Sequence, residues 1–309
     1  MAEHSSDDTR VSILRVVHQR PEITIPPGAC DCHVHVFGPT ERFPYSSSRP
    51  YTPAPALVED LMAHQRILGL ERVVVVQPSV YGSDNRCTLD AIARLGEGAR
   101  GVAVIDPQTS LGDLETLARS GIRGIRLNLA AAAADAAAAL RVLKHANEVA
   151  VQFGWHIQVF APIEVIQALR RELRQLDVPL VLDHFAGVHA SAGVKSEGFK
   201  VLVGLLDGGH CHVKVSAPYL VSEQPSLDEV APLLRGLVTV APQRLLWGSN
   251  WPHPLGGVGD ITRGPVSMFR EIDDGAALQR LARWLEDDTL FARILVDNPA
   301  ALYGFNNPT

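Results

Sequence analysis

Two histidines two residues apart, His33 and His35 in the segment DCHVHVFGP (31–39), give the clearest chemical signal in this sequence. At that spacing in a strand both imidazoles share one face, where together they can polarise a carbonyl, move a proton or ligate a metal. A single histidine in an apolar run is more often a hydrogen-bonded core residue, but a pair at a strand end favours a site. Similar polar endings recur along the chain. Arg126 and Asn128 close GIRLN, His156 and Gln158 alternate in HIQVF, and Asp183 and His184 end LVLDH. His212, Lys214 and Ser216 alternate in CHVKVS, Gln77 leads into Ser79 and Tyr81, and Ser249 leads into Asn250, Trp251 and His253. An inward arginine is costly unless it meets an anion, so Arg126 points to a substrate carboxylate or to an internal salt bridge. Lys214 reads as a carboxylate ligand or, if desolvated, as a Schiff-base nucleophile.

The elements that must position these residues are short runs rich in Val, Ile and Leu, separated by stretches of helical spacing. Such runs lie at 29–36, 72–77, 101–105, 122–127, 155–160, 179–184, 212–216 and 244–248. Helical spacing falls at about 55–68, 87–97, 111–119, 134–152, 163–176, 195–207, 227–240 and 274–302. Eight alternating units predict an α/β fold, a (β/α)8 TIM barrel whose strand ends carry the site. An open doubly wound sheet would use fewer strands and a glycine-rich phosphate turn, and FGPTERFPY (37–45) is no such turn. Strict alternation in the first strand predicts Asp31, His33 and His35 facing into the barrel, with Cys30, Cys32, Val34 and Val36 packed outside under helices. The alanine-rich stretch 130–139 reads as a helix start without chemistry, and the glycine-rich stretch 255–266 as a long loop that covers the barrel mouth or simply lies on the surface.

The chain has 309 residues, 46% of them hydrophobic and 20% charged, with a net charge of −6 and its 28 basic residues scattered. That composition suits one globular domain and lacks the basic footprint of a nucleic-acid binder, so a small molecule is the expected partner. No apolar run is long enough to span a bilayer and the polar N-terminus lacks signal-peptide character, which makes the cytoplasm the expected compartment. Four irregularly spaced cysteines read as reduced thiols. Residues 1–27 read as an N-terminal arm, 28–305 as a single barrel domain and 306–309 as a tail.

Taken together, DCHVHVFGP (31–39), RPYTP (49–53), VVQPSVYGSDN (75–85), GIRGIRLN (121–128), LDHFAG (182–187), KVSAPYLVS (214–222), LLWGSNWPHP (245–254) and LVDNPAALYGF (295–305) resemble the amidohydrolase superfamily. More narrowly, they resemble its branch of 2-pyrone-4,6-dicarboxylate lactonase, galactarolactone isomerase and related amidohydrolase-like enzymes. The resemblance implies an amidohydrolase-like barrel in which His33, His35 and His184 polarise a lactone carbonyl without a metal. It also implies substrate contacts from Tyr51, Ser79 and Arg126 and a strand-eight residue that activates water. That residue is Asn250, where most of the superfamily has Asp, and an amide cannot take a proton near neutral pH. The loop after strand seven, APYLVS, lacks the arginine expected of the dicarboxylate lactonase.

The reading is therefore a lactonase-like hydrolase acting on a small carboxylated lactone, with His33, His35, His184 and Asn250 catalytic and no cofactor. Tyr51, Gln77, Ser79, Tyr81, Arg126, Asn128, His156, Gln158, Lys214, Tyr219, Trp251 and His253 are its substrate-binding candidates. Lactone isomerisation by the substrate's own hydroxyl is the alternative that Asn250 favours. Also open are a metal-dependent hydrolase or decarboxylase holding zinc or manganese at His33, His35 and His184, a lyase acting through Lys214, and a barrel that binds without turnover.

Overall fold

A computed structural model describes residues 18–130, 135–255 and 266–306. Most of the glycine-rich stretch after the eighth strand, and residues 131–134 of the alanine-rich stretch, lie outside the described residues. Eight parallel strands follow chain order around a barrel: β1 (Cys30–Val34), β2 (Arg72–Val76), β3 (Ala99–Ala103), β4 (Ile122–Asn128), β5 (His156–Phe160), β6 (Leu180–Leu182), β7 (Cys211–Ser216) and β8 (Leu245–Gly248). β1 and β8 are joined just beyond the last strand, where His35 N donates to Trp251 O at 2.8 Å and Asn250 N donates to His33 O at 2.9 Å.

The helices are α1 (Val58–Leu68), α2 (Arg86–Leu95), α3 (Leu111–Arg119), α4 (Ala136–Phe153), α5 (Ile163–Ala168), α6 (Arg170–Arg174), α7 (Glu197–Asp207), α8 (Ala231–Val240), α9 (Asp274–Leu285), α10 (Asp288–Ala292) and α11 (Asn298–Tyr303). Their starts follow from local chemistry. Ser110, Asp135, Ser196, Asp273 and Asp287 each accept a backbone N–H of the first turn of α3, α4, α7, α9 and α10. The expected helix at 163–176 is two pieces, and the expected region 274–302 is three helices, the last two joined by a π-turn over Arg293–Asp297. No described helix is long and apolar enough to cross a membrane. The four cysteines are buried and unbridged.

One expectation is corrected in β1. The register between β1 and β2 slips between Asp31 and Val34, the mark of a bulge. An extra residue there breaks the two-residue period, so Cys30 and Cys32 pack with Val74, Val76, Val102, Val181 and Leu246 inside the barrel instead of under helices. Asp31 turns the other way, with Oδ1 accepting from Ser249 N at 2.9 Å and from His33 N at 3.1 Å. His33 regains the interior because the bulge restores the phase.

The amino-terminal end of the barrel is closed by the chain's C-terminal region. Tyr303 is fully buried against Cys30 and Cys32, with its ring 5.3 Å from that of His156. Phe305 lies under the guanidinium groups of Arg72 and Arg100, at 5.3 and 4.7 Å. The described part of the N-terminal arm, residues 18–27, is tied to the start of α9: Gln19 N donates to Asp273 Oδ1 at 3.1 Å, and Asp274 N donates to His18 Nδ1 at 3.2 Å.

Candidate active site

The carboxyl ends of β1, β4, β5, β6, β7 and β8 converge on three imidazoles. The ring of His33 lies 4.9 Å from that of His35 and 4.8 Å from that of His184. Gly248 makes this approach possible: a Cβ there would stand 2.6 Å from His33 Cβ and 2.9 Å from its backbone nitrogen. His184 is aimed by strain. It opens a run of left-handed residues, His184 (φ 51°), Phe185 (φ 54°) and Ala186 (φ 56°), before Gly187 (φ 68°). Each non-glycine residue in that region costs roughly 1–2 kcal/mol, and such strain persists where the surroundings fix it.

Beneath the imidazoles lies a buried charge pair. Lys214 and Asp183 are 3.6 Å apart, with no exposure of either side chain. The ammonium is hydrogen-bonded to Gln158 Oε1 at 2.7 Å and His33 Nδ1 at 3.2 Å, and it pairs in charge with Asp183 Oδ1 without a hydrogen bond to it. Gln158 Nε2 in turn donates to Asp183 Oδ2 at 3.0 Å. Burial pushes the Asp183 carboxyl up, but the facing His33 and Lys214 outweigh it and hold the group well below the usual carboxylate range. Burial pushes Lys214 down, against the pull of Asp183.

This pair sets the tautomers. An ammonium can only donate, so His33 Nδ1 accepts and its proton sits on Nε2, 3.3 Å from His35 Nε2. His35 Nδ1–H donates to Val76 O at 2.8 Å, which leaves its Nε2 bare to receive His33. His184 Nδ1 meets Ser216 Oγ at 2.8 Å; with the serine donating, the Nε2–H of His184 is free to act as a donor. Burial lowers all three histidines: His33 well below its ordinary value with Lys214 adding to the effect, His35 to about 3 and His184 to about 4. All three are neutral N–H donors or acceptors at neutral pH.

The divalent centre common in the superfamily does not fit this arrangement. His33, Asp183 and His184 bring ligand atoms within 4.8 Å of one another. However, the Lys214 ammonium already neutralises Asp183 and occupies the Nδ1 side of His33. Strand five gives Gln158, tied to Lys214 and Asp183, and strand eight gives the neutral Asn250.

Arg126 is buried at 8% exposure. Its Nη1 donates to Gln77 O at 3.0 Å and approaches Ser79 Oγ at 3.4 Å. Its Nε has no hydrogen-bond partner, and among the described residues no carboxylate pairs with it. The internal salt bridge is thus not formed. Asn128 Nδ2 also reaches Ser79 Oγ, at 3.2 Å, and the Tyr51 hydroxyl, pushed up to about 12 by burial, feels the Arg126 charge. Phe160 stands between the two groups, 5.9 Å from the guanidinium and 5.7 Å from the ring of His184.

Five candidates lie away from this centre. Gln77 is used up in the fold, donating to Gly82 O and Asp84 O at 3.1 and 2.8 Å and accepting from Thr88 Oγ1 at 2.5 Å. Tyr81 accepts from Gly38 N at 3.0 Å and packs against Tyr45. His156 sits deep against Tyr303, and Trp251 is a core ring beside His64. His253 stands behind Tyr219, with Nδ1 3.0 Å from the tyrosine hydroxyl. Tyr219 lines a cavity of about 490 Å3 with His184, Asp183, Phe160 and Arg270. Sequence reasoning missed Asp183, Ser216, Asp274 and Arg270 as site residues. The strand-end positions of Asp183 beside His184 and of Ser216 after Lys214 were the signals that could have found two of them.

An eight-stranded barrel with an HxH pair, a strand-six histidine and a buried arginine at its carboxyl end defines an amidohydrolase-type site. The chain belongs to the amidohydrolase family, whose pattern matches residues 30–305. It is 36% identical over 285 residues to the 4-sulfomuconolactone hydrolase of Hydrogenophaga intermedia, covering 91% of this chain and 90% of that one. It is 31% identical over 291 residues to the D-galactarolactone isomerase of Agrobacterium fabrum, covering 92% and 93%. A crystal structure from Acinetobacter baumannii, described as a probable 2-pyrone-4,6-dicarboxylic acid hydrolase with citric acid bound, superimposes with a TM-score of 0.72. It is 25% identical and covers 90% of this chain and all of that one.

Proposed function

We propose that the protein acts on the ester carbonyl of a small lactone bearing an anionic group, opening the ring by hydrolysis without a resident metal. The observation that carries this reading is Arg126, a buried guanidinium with a free Nε and no carboxylate partner among the described residues, set beside three neutral imidazoles. A carboxylate or sulfonate on the substrate would supply the missing anion, with Ser79, Asn128 and Tyr51 at its edge. The lactone carbonyl would then lie towards His184, whose free Nε2–H stabilises the negative charge that grows on its oxygen, as an oxyanion hole does, while the His33 Nε2–H is held by His35. The relatives named for sulfomuconolactone and pyrone dicarboxylate hydrolysis act on substrates of this kind, which supports the reading.

Asn250 favours a second outcome at the same centre. Its side-chain amide can orient an attacking oxygen but cannot remove a proton, and intramolecular attack by a substrate hydroxyl depends less on base strength. Such a reaction exchanges one lactone for another with no water consumed, as the name of the Agrobacterium relative describes. Proton NMR of the purified protein with carboxylated and sulfonated muconolactones, pyrone dicarboxylate and sugar-acid lactones separates the two, because ring opening and ring exchange give different products. Turnover of none of them would overturn the proposal.

A further inference from the structure

We propose that Tyr219, His253 and Asp274 form a proton relay that serves as the base for the attacking oxygen, the role Asn250 cannot fill; this rests on the lactone reading above. The relay begins at Asp274, the first residue of α9, whose carboxylate is fully buried. Oδ2 accepts from His253 Nε2 at 3.0 Å and from His64 Nε2 at 2.8 Å. These distances are those of hydrogen bonds to one oxygen, and they settle the tautomer of His253: with the proton on Nε2, Nδ1 is bare. The Tyr219 hydroxyl stands 3.0 Å from that Nδ1 and must donate to it. Its oxygen is then an acceptor, and Asn250 Nδ2 donates to it at 3.0 Å.

Every bond in the chain Asn250, Tyr219, His253, Asp274 therefore points the same way. The order is that of an alcohol, imidazole and carboxylate triad, with a phenol in the first place. The other face of Tyr219 lines the cavity that holds His184. Asn250 is itself held beside His33, with its backbone N–H donating to His33 O at 2.9 Å. The assembly is rigid: His64 and His18 brace Asp274 from behind, and the Arg270 guanidinium lies 5.3 Å over the Tyr219 ring.

The step balances as follows. The attacking water or hydroxyl forms a bond to the carbonyl carbon while its proton passes to the Tyr219 oxygen. The phenolic proton passes at the same time to His253 Nδ1, giving an imidazolium paired with Asp274. When the ring C–O bond breaks, the leaving alkoxide takes a proton back from His253 through Tyr219. Burial raises the Tyr219 hydroxyl above its ordinary value, which disfavours a standing phenolate and requires the two protons to move together.

Tyr219 is the catalytic residue in this scheme, and His253 and Asp274 act through it. Tyr219→Phe, which keeps the ring, is expected to lower kcat by about 10²-fold or more, the scale of general-base catalysis, with KM nearly unchanged. His253→Gln should match that loss, and the double variant should be no worse than either, since the residues act as one unit. Adding Asn250→Asp to Tyr219→Phe should recover about tenfold or more of the loss by placing a carboxylate base at the strand end. A Tyr219→Phe variant with normal kcat and raised KM, or a double variant whose losses multiply, would overturn the relay. If the wild type opens no lactone, the lactone reading fails, and nitrogen NMR of the imidazoles still decides the relay. An Nδ1–H tautomer at His253, or a nitrogen spectrum of His253 unchanged by Tyr219→Phe, would refute it without reference to any substrate.

Discussion

The ammonium of Lys214 meets the imidazole of His33 at 3.2 Å, joining residues 181 positions apart and fixing which nitrogen of the histidine carries its proton. Because Lys214 also neutralises Asp183, one side chain governs both the charge balance and the donor pattern of the site.

Lys214→Met should leave Asp183 as an uncompensated buried carboxylate, at a cost of about 3–5 kcal/mol. Urea denaturation is the direct check. Lys214→Met combined with Asp183→Leu should recover most of the stability and none of the activity, because the His33 tautomer is no longer held. Recovery of both would show that Lys214 serves packing alone.

Arg126→Gln should raise KM for an anionic lactone by roughly 10- to 10²-fold, the worth of a charge-assisted hydrogen bond of about 1.5–3 kcal/mol. A neutral lactone of the same ring size should be affected little. Steady-state kinetics on the matched pair decides this, and equal losses on both substrates would argue against an anion site.

His35 and His184 should stay neutral well below pH 6, since burial lowers them to about 3 and 4 from an ordinary 6.5. The sign for stability follows from proton binding: between these values and 6.5 the unfolded chain binds protons that the folded chain refuses. Stability is therefore complete above about pH 6.5 and falls as the pH drops towards 4. Histidine NMR titration with parallel thermal melts tests both parts. Titration of either residue near 6.5 would contradict the neutral-donor arrangement.

Gly248→Ala should displace His33, because the added Cβ would meet its Cβ at 2.6 Å and its backbone nitrogen at 2.9 Å. A shift of about 1 Å at a reacting group can cost on the order of 10² in rate. The expected result is a folded protein with kcat reduced to that degree, read by kinetics alongside circular dichroism. Unchanged kcat would mean that His33 is not held for catalysis.

Protein purified without added metal is expected to carry far less than one zinc or manganese per chain and to keep its activity in chelator. Elemental analysis and chelator assays answer this together. Stoichiometric metal, with activity lost on its removal and regained on its return, would replace the Lys214-centred scheme with a metal centre at His33, His35 and His184.

The barrel was legible in the sequence because each strand is a short Val, Ile and Leu run and each polar ending repeats at the same phase. The histidine cluster was legible for the same reason, since alternation and strand-end position place His33, His35 and His184 together. The bulge in β1 was not, because a bulge is a property of pairing with β2 and leaves no mark on β1 alone; Cys30, Cys32 and Asp31 were misassigned in consequence. Asp274 escaped notice because its partners His64 and His253 lie 210 and 21 residues away on other elements, and only the closed barrel brings them together. His253 and Trp251 were both assigned to substrate because they follow the last strand, yet the backbone turns there, with Asn250 at φ 69° and His253 at φ 63°, and the structure places Trp251 beside His64 and His253 on Asp274.

The aromatic floor of Tyr303 and Phe305 ties the last described turn of the chain to its first strand: a variant ending before α11 would lack the cover over Cys30, Cys32 and His156 and expose two thiols that the folded protein buries.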